Sequence, residues 1–376
     1  MRILIVGAGI GGLTAAVAMA RAGHRVTLAE KHSTFTAAGA GIILAPNATR
    51  VLDALGIDLS ADGHELTALD VVAADGSLLQ RIATGRYRER YGPTWALSRP
   101  ALHQALAAAL PAEVDLVFGR TLTDLSDRGD SVDVRFADGP GVHTFDLVVG
   151  ADGIHSTTRE LALGARPLRY SGVTCWRGLT RNPGYSHAIE SWAGRTRIGV
   201  VPLRDQQLYY YLVMSAPRRA PAPAWPDGFE QTFSGHPAEL TRIFEALPEA
   251  PPLHHDLEEL DAPVWGRDRV ILLGDAAHAM TPNQGQGAAM AIEDAYALTR
   301  VLDAGVEGAA RRYRAARHRR VRRVQLTSRR LGAVSHWGSP AARALRDRLL
   351  RSIPQAIADR QYRGLVEPGI RLAMAA

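Results

Sequence analysis

The chain has 376 residues, of which 46% are hydrophobic, enough for two domains or one large domain with an inserted sheet. Its net charge is +6, from 44 Lys and Arg against 38 Asp and Glu, and Lys31 is its one lysine. No apolar run is long enough to span a membrane, no secretory leader pattern opens the chain, and a single cysteine, Cys175, excludes internal disulfides and thiolate-rich metal sites. These features point to a cytoplasmic protein.

The spacing predicts a strand over residues 3–6, a glycine turn, and a helix over 13–22. Gly7, Gly9 and Gly12 have G-x-G-x-x-G spacing. The first allows the tight turn, the second admits a pyrophosphate, and the third lets helix and strand pack closely. The helix N-terminus then offers free N–H groups to phosphates. A second strand, 25–29, ends in Glu30, eighteen residues after Gly12, where a carboxylate accepts hydrogen bonds from a ribose diol.

Gly39 to Leu44 reads as a glycine-marked extended piece, and residues 47–55 as a helix. Strand patterns at 66–74 and 77–84 flank Asp75-Gly76, a hairpin signal. Ser98 caps a helix running to Leu110, with Pro100 in its first turn. Residues 114–149 alternate like a meander, whose last strand leads into Ala151-Asp152-Gly153. From 173 to 214 the pattern is extended and carries Trp176, Trp192, Arg197 and three consecutive tyrosines, 209–211. Residues 229–247 read as mostly helical. A buried strand at 269–273 ends in Gly274-Asp275, and a helix follows over 287–302.

Helices continue to the end. One at 340–353 has Ala341, Leu345, Leu349 and Ile353 near helical spacing, and is expected to cover the core or a partner. The segment 311–330 is dense in arginine. A solvated helix face is favoured there over a nucleic-acid or membrane patch, because no aromatics are interleaved for base stacking. No metal-ligand cluster and no G-x-S-x-G elbow occurs, so neither a metal site nor nucleophilic hydrolysis is expected.

The fold class is therefore α/β. A Rossmann-like domain is assembled from residues 1–70, 96–170 and 266–335. A mixed β-sheet substrate domain is inserted from 71–95 and 171–265, and 336–376 form a C-terminal helical segment.

Three stretches carry a family resemblance: GAGIGG at 7–12 with Glu30, VVGADGIHSTTR at 148–159, and LLGDAAHAMTPNQGQG at 272–287. Their order and spacing resemble the single-component class A flavoprotein monooxygenases, which are para-hydroxybenzoate hydroxylase-like in fold. The resemblance is strongest to the branch with zeaxanthin epoxidase, salicylate hydroxylase and FAD-dependent urate hydroxylase. It implies non-covalent FAD, with NADPH or NADH and O2 as co-substrates. It also implies oxygen transfer through a flavin hydroperoxide, hydroxylating or epoxidising a small electron-rich aromatic or unsaturated substrate.

By that resemblance Gly7, Gly9, Gly12, Glu30, Gly41, Ile42, Arg99, Asp152, Asp275, Pro282, Gly285 and Gly287 are the expected cofactor contacts. Asp152 reads equally as a cap on the helix starting near Ser156, Arg159 as a family arginine or an ion-pair partner, and His278 as a structural hydrogen-bonder. On the inserted sheet, period-two alternation puts Arg197, Gly199 and Val201 on one face and Tyr209 with Tyr211 on another strand's face. Arg197 and Tyr209 fall where the urate hydroxylase has an active-site Arg and Tyr, and are expected to orient substrate. Asn283 stands where that enzyme has an Asp. Trp176 and Met214 are weaker pocket candidates. The alternatives are a geranylgeranyl-reductase-like enzyme, or a non-catalytic FAD-binding module docking through 311–330. A halogenase is disfavoured by the missing W-x-W-x-I-P segment and reactive lysine.

Overall fold

The computed structural model describes residues 1–35, 39–139 and 141–374. Its first layer is a six-stranded sheet. In spatial order it runs Gly266–Arg267, Val270–Leu272, Leu147–Gly150, Arg2–Val6, Arg25–Ala29 and Asp115–Val117. All neighbours are parallel except the edge pair Gly266–Arg267 with Val270–Leu272. These strands are buried on both faces, which is why they read as continuous apolar runs rather than alternating ones.

The helix Ile10–Arg21 packs across this sheet against the helix Gly287–Leu302. A Cβ on Gly11 would lie 2.7 Å from Leu273 Cδ1 and 3.2 Å from Ala291 Cβ, so the small residue sets the approach. The expected 114–149 meander divides. Asp115–Val117 and Leu147–Gly150 join the parallel sheet, and only Leu122–Asp127, Val132–Phe136 and His143–Phe145 form a separate antiparallel sheet. That sheet buries Leu122, Val132 and Val134 against Leu4, Val6 and Val148.

The second layer is a seven-stranded mixed sheet. Its order is Leu253–Leu260, Leu168–Arg181, Gln207–Ser215, Thr196–Pro202, Ala188–Ala193, Leu69–Ala73 and Leu78–Ile82. The Asp75-Gly76 hairpin forms as expected, with Gly76 at φ +81°. One face carries Trp176, Ile189, Ile198, Val200, Tyr210 and Leu212, packed under Phe229, Phe233, Leu240 and Ile243 of the short helices in 227–246. Trp176 and Met214 both belong to this packed face, which removes them as pocket residues. Trp176 stacks on His254 at 4.5 Å and meets Phe229 edge-on at 4.9 Å.

The opposite face looks toward the nucleotide-type domain. It joins it through the small sheet of Gly41–Leu44, Trp95–Ser98 and His64–Glu65.

The arginine-rich helix Ala309–Ser335 is solvated along one side, where Arg311, Arg314, Arg319, Arg323 and Arg330 are exposed. Its other side is structural. Arg317 and Arg320 reach inward to Glu293, and Arg329 pairs with the buried Glu259. The helix Pro340–Arg351 forms as expected, capped by Ser339 Oγ accepting from Ala342 N. Its apolar stripe does not cover the core. Leu345 and Leu349 are each 54% exposed, whereas Arg346 on the reverse face is buried. Arg346 donates to the carbonyls of Ser335 and Trp192, lies over the Trp192 ring and pairs with Asp347. No described helix is long and apolar enough to cross a membrane.

Candidate active site

The three separated motifs meet at the C-terminal ends of adjacent parallel strands, where ligands of such sheets bind. Val6 registers with Gly150, and Gly150 with Leu272. A Cβ on Gly7 (φ +100°) would come within 2.7 Å of Ala151 O and 2.8 Å of Asp152 Cα. One on Gly12 would sit 1.8 Å from Gly7 O. These two glycines are therefore demanded by packing. Gly9 is not: nothing lies within 4 Å of its Cβ direction, so the turn is open at the N-terminus of the helix Ile10–Arg21.

Glu30 closes the turn from the next strand. Its carboxylate accepts from Ala8 N at 2.9 Å and His32 N at 3.0 Å. Burial works against the anion, but these N–H donors and the His32 ring outweigh it and hold the carboxyl below its ordinary pKa.

Asp152 takes the capping role. It accepts from Thr158 N at 2.8 Å, from Thr158 Oγ1 at 3.0 Å and from Ser156 Oγ. Arg159 is buried and stitches two motifs together, donating to Ala276 O at 3.0 Å and Ile154 O at 2.7 Å. Asp275 differs from both. It is exposed at the head of the short helix Asp275–His278, and its carboxylate accepts no hydrogen bond from a described residue. Pro282 opens the turn that follows, and Gly285 (φ +62°) again has nothing within 4 Å of its Cβ direction. Gly287 then starts the helix Gly287–Leu302, with Asp275 Oδ1 4.0 Å from its Cβ direction.

The crevice fits a dinucleotide. It has side-chain-free walls at Gly9 and Gly285, two helix N-termini, a carboxylate in Glu30 and an unengaged one in Asp275. FAD would be held here by the glycine turn, Glu30, Asp275 and the 282–287 loop.

Behind that loop lies a buried ionic cluster. His278 Nε2 and Gly274 N both bond to Asp294, and Arg317 Nε donates to Asp294 Oδ1 at 2.7 Å. Arg317 also donates to Glu293 at 2.7 Å, and Asn47 Nδ2 bridges Glu293 and Gln286 at 2.8 and 3.0 Å. His278 is thus a structural residue, as expected. Burial disfavours the anions, but the His278 ring and the Arg317 charge outweigh it at Asp294, and Arg317 with Arg320 does so at Glu293.

The sheet face opposite carries Cys175, Arg177, Tyr209, Tyr211, Arg197 and Glu190, as the strand registers require. Arg197 and Tyr209 fall on one face with Tyr211, as their alternation implied. Tyr209 rests directly on Gly41, whose Cβ would sit 2.3 Å from its ring, so the Gly41–Leu44 strand and the seven-stranded sheet touch here. Ile42 follows, half-buried. Tyr211 lies over Gly199 in the same way, at 1.9 Å.

Glu190 was not singled out by the sequence. Its carboxylate accepts from Tyr211 OH at 2.9 Å and Trp192 Nε1 at 2.9 Å, and pairs with Arg197 Nη1 at 3.2 Å. Arg197 Nη2 donates to Asn283 Oδ1 at 2.8 Å. The available signal was a lone acid in the strand Ala188–Ala193, on the same alternation as Trp192.

This fold and crevice define an FAD-dependent, NAD(P)H-using flavoprotein monooxygenase. Residues 1–328 match the FAD binding domain family, and the chain belongs to it. It is 36% identical over 377 residues to the 2-heptyl-3-hydroxy-4(1H)-quinolone synthase of Pseudomonas aeruginosa, covering 97% of each chain. It is 35% identical to the 6-hydroxynicotinate 3-monooxygenase of Bordetella bronchiseptica, over 87% of this chain and 90% of that one. Klebsiella pneumoniae HpxO complexed with FAD and uric acid superposes with a TM-score of 0.88 at 26% identity, covering 98% of this chain and 97% of that one. Oxygenases of this kind, rather than reductases or binding modules, are what the chain resembles along its whole length.

Proposed function

We propose that the chain hydroxylates a small aromatic ring that enters uncharged and carries a hydroxyl, amino or ring N–H group. The observation behind this reading is the occupancy of Arg197. Both of its terminal nitrogens are engaged, one by the Glu190 carboxylate and one by Asn283, so its charge is already balanced. An Arg in that state is a poor anchor for a substrate carboxylate. Tyr211 keeps its proton, because burial and then the Glu190 charge push its pKa well above 10. Its O–H is committed to Glu190, which leaves its oxygen lone pairs to accept from a ring O–H or N–H.

When bound, FAD supplies the redox chemistry that activates dioxygen. The protein's part is to orient the ring and keep water out. Tyr209, Tyr211 and Val213 provide a largely apolar wall, and the glycines beneath the two tyrosine rings fix their height. A donor group on the ring matters chemically, since it raises electron density at the carbon that receives oxygen. One relative named for quinolone chemistry fits this reading, the 2-heptyl-3-hydroxy-4(1H)-quinolone synthase of Pseudomonas aeruginosa.

The test is NAD(P)H consumption with labelled dioxygen, offering 4-quinolones and hydroxyquinolines beside 6-hydroxynicotinate and 3-amino-4-hydroxybenzoate. Neutral rings should stimulate consumption and gain one labelled oxygen atom. Labelled product from the carboxylates alone would refute the reading.

A further inference from the structure

The chain's charge of +6 is unevenly placed. Residues 309–363 hold sixteen arginines and two acids, a balance of +14, so the rest of the chain carries −8. Some of these arginines face inward and are neutralised there: Arg317 and Arg320 by Glu293, Arg329 by Glu259, and Arg346 by Asp347. Nine others are exposed. Five lie along Ala309–Ser335, Arg348 and Arg351 on Pro340–Arg351, and Arg360 and Arg363 on the helix Gln355–Met374.

No exposed acid accompanies them. Asp347 is half-buried against Arg346, and Asp359 is half-buried and accepts from the Tyr87 hydroxyl and Gln355 Nε2. None of the five exposed arginines of Ala309–Ser335 pairs with a carboxylate of a described residue. The three helices are neighbours. Arg320 donates to Gly364 O and Leu365 O of the last helix, and Arg346 donates to Ser335 O at the end of the first, at 3.2 Å.

The arginine-dense segment has no apolar component of its own, but the helix after it supplies one. Pro340–Arg351 turns Leu350 inward beside Leu331 and Trp192 and leaves Leu345 and Leu349, one turn apart, each 54% exposed. Arg348 and Arg351 share that outward half of the helix. Ile357 opens the next helix 48% exposed, and Trp337 lies just before the first turn, also exposed. A leucine ridge edged by arginines is the pattern of a helix that lies in a membrane interface, with Trp at headgroup level.

We propose that the outward face of these C-terminal helices docks on an anionic phospholipid bilayer. Leu345, Leu349 and Ile357 enter the headgroup region, and the arginines meet lipid phosphates. A second copy of the chain fits worse, because a two-fold pairing would set unneutralised arginines against their own kind. Nucleic acid fits worse too, since protruding aliphatic side chains neither stack on bases nor pair with phosphates. A fluid bilayer takes up a ridge without needing a matching groove. Docking would hold the enzyme where uncharged aromatic rings partition; that consequence rests on the substrate reading above, whereas the docking itself does not.

The test uses the full-length, FAD-loaded enzyme and vesicle co-sedimentation. Vesicles of equal parts phosphatidylcholine and phosphatidylglycerol should bind it, and phosphatidylcholine alone should not. Binding should fall steeply between low salt and about 0.5 M salt. Arg348→Gln/Arg360→Gln should weaken it about twentyfold, near fivefold per arginine. Leu345→Ser/Leu349→Ser should weaken it about tenfold. Both variants should keep the parent's flavin spectrum and its NAD(P)H oxidation in lipid-free buffer. No binding to the mixed vesicles at low salt overturns the proposal. So does leucine-variant binding equal to the parent's, which would reduce the effect to charge alone. Affinity for duplex DNA or polyglutamate that matches or exceeds that for the mixed vesicles overturns it in favour of another polyanion. Self-association abolished by the leucine changes overturns it in favour of a second copy. Should the leucine variant fail to fold, Leu349→Gln alone carries the same expectation and the same refutation.

Discussion

Arg197 Nη2 donates to Asn283 Oδ1 at 2.8 Å, tying the seven-stranded sheet to the loop that ends in Gly285 and Gly287. Asn283 is itself anchored, donating from Nδ2 to Thr281 Oγ1 at 3.0 Å and Ser328 O at 3.1 Å. The countercharge for Arg197 thus sits on the sheet, at Glu190, rather than on the loop. Glu190→Gln should leave a buried guanidinium without its partner, at a cost of about 3 kcal/mol. Hydroxylation should fall about a hundredfold in kcat/KM, with flavin reduction by NAD(P)H unaffected and more peroxide released. Restoring the charge from the loop, in Glu190→Gln/Asn283→Asp, should recover much of the loss. A double variant no better than the sum of its parts would show that the pair is not coupled through Arg197.

Gly41→Ala tests the contact between the Gly41–Leu44 strand and the seven-stranded sheet. Its Cβ would fall 2.3–2.6 Å from Tyr209 Cγ, Cβ and Cδ1, atoms near the base of the side chain that cannot swing clear. Overpacking of this kind costs about 1–3 kcal/mol. The visible flavin spectrum and the thermal midpoint should both shift, and Tyr209→Ala in the same background should reverse the shift. An unshifted spectrum in Gly41→Ala would mean that the strand does not press on the site.

The buried cluster behind the loop is a second structural lever. Arg317 is buried between Glu293 and Asp294, at 2.7 Å from each. Arg317→Met removes the cation and leaves two buried carboxylates, which should destabilise the fold by about 3–5 kcal/mol in urea unfolding. Because Asp294 also holds Gly274 N and His278, FAD retention should decline with it. Glu293→Gln/Asp294→Asn/Arg317→Met should be more stable than Arg317→Met alone. If it is not, the charges were not the cause.

The local signals were the legible ones. The glycine spacing, the Asp75-Gly76 turn and the Ser98 cap each depend on a few neighbouring residues, and each forms where its chemistry requires. What depends on register across strands was hidden. Glu190 meets Tyr211 because both flank Gly199 on adjacent strands, a relationship fixed by pairing and not by distance along the chain. Trp176 and Arg177 are neighbours in sequence yet point to opposite faces, and only the cover provided by Phe229 and Phe233 decides which face is packed. The helix Pro340–Arg351 misleads for a related reason. Its leucines share a face, but the groove it lies in is lined by Trp192 and the Ser335 carbonyl, which accommodate Arg346 better than leucine.

Two histidines should make stability fall on mild acidification. Burial pushes His236 down to about 4, where it lies between Ser191 Oγ at 2.9 Å and Thr196 Oγ1 at 3.0 Å. Burial, and then the charge of Arg197, push His336 down to about 3, and it contacts Ser215 Oγ at 2.9 Å. Both are therefore neutral in the folded protein at moderate pH, whereas in the unfolded chain each takes up a proton near pH 6.5. The unfolded state then binds more protons between about pH 6.5 and 4, so unfolding becomes easier as pH falls through that window. Each histidine should contribute a slope of about 1.4 kcal/mol per pH unit there, and almost none above pH 7. Urea titrations at intervals from pH 7.5 to 5 measure this directly, the carboxylates held low by hydrogen bonds acting only at lower pH. His236→Asn should remove one histidine's share of the slope. Stability that rises on going from pH 7 to pH 5, or a slope unchanged in His236→Asn, would show that these rings are already protonated in the fold.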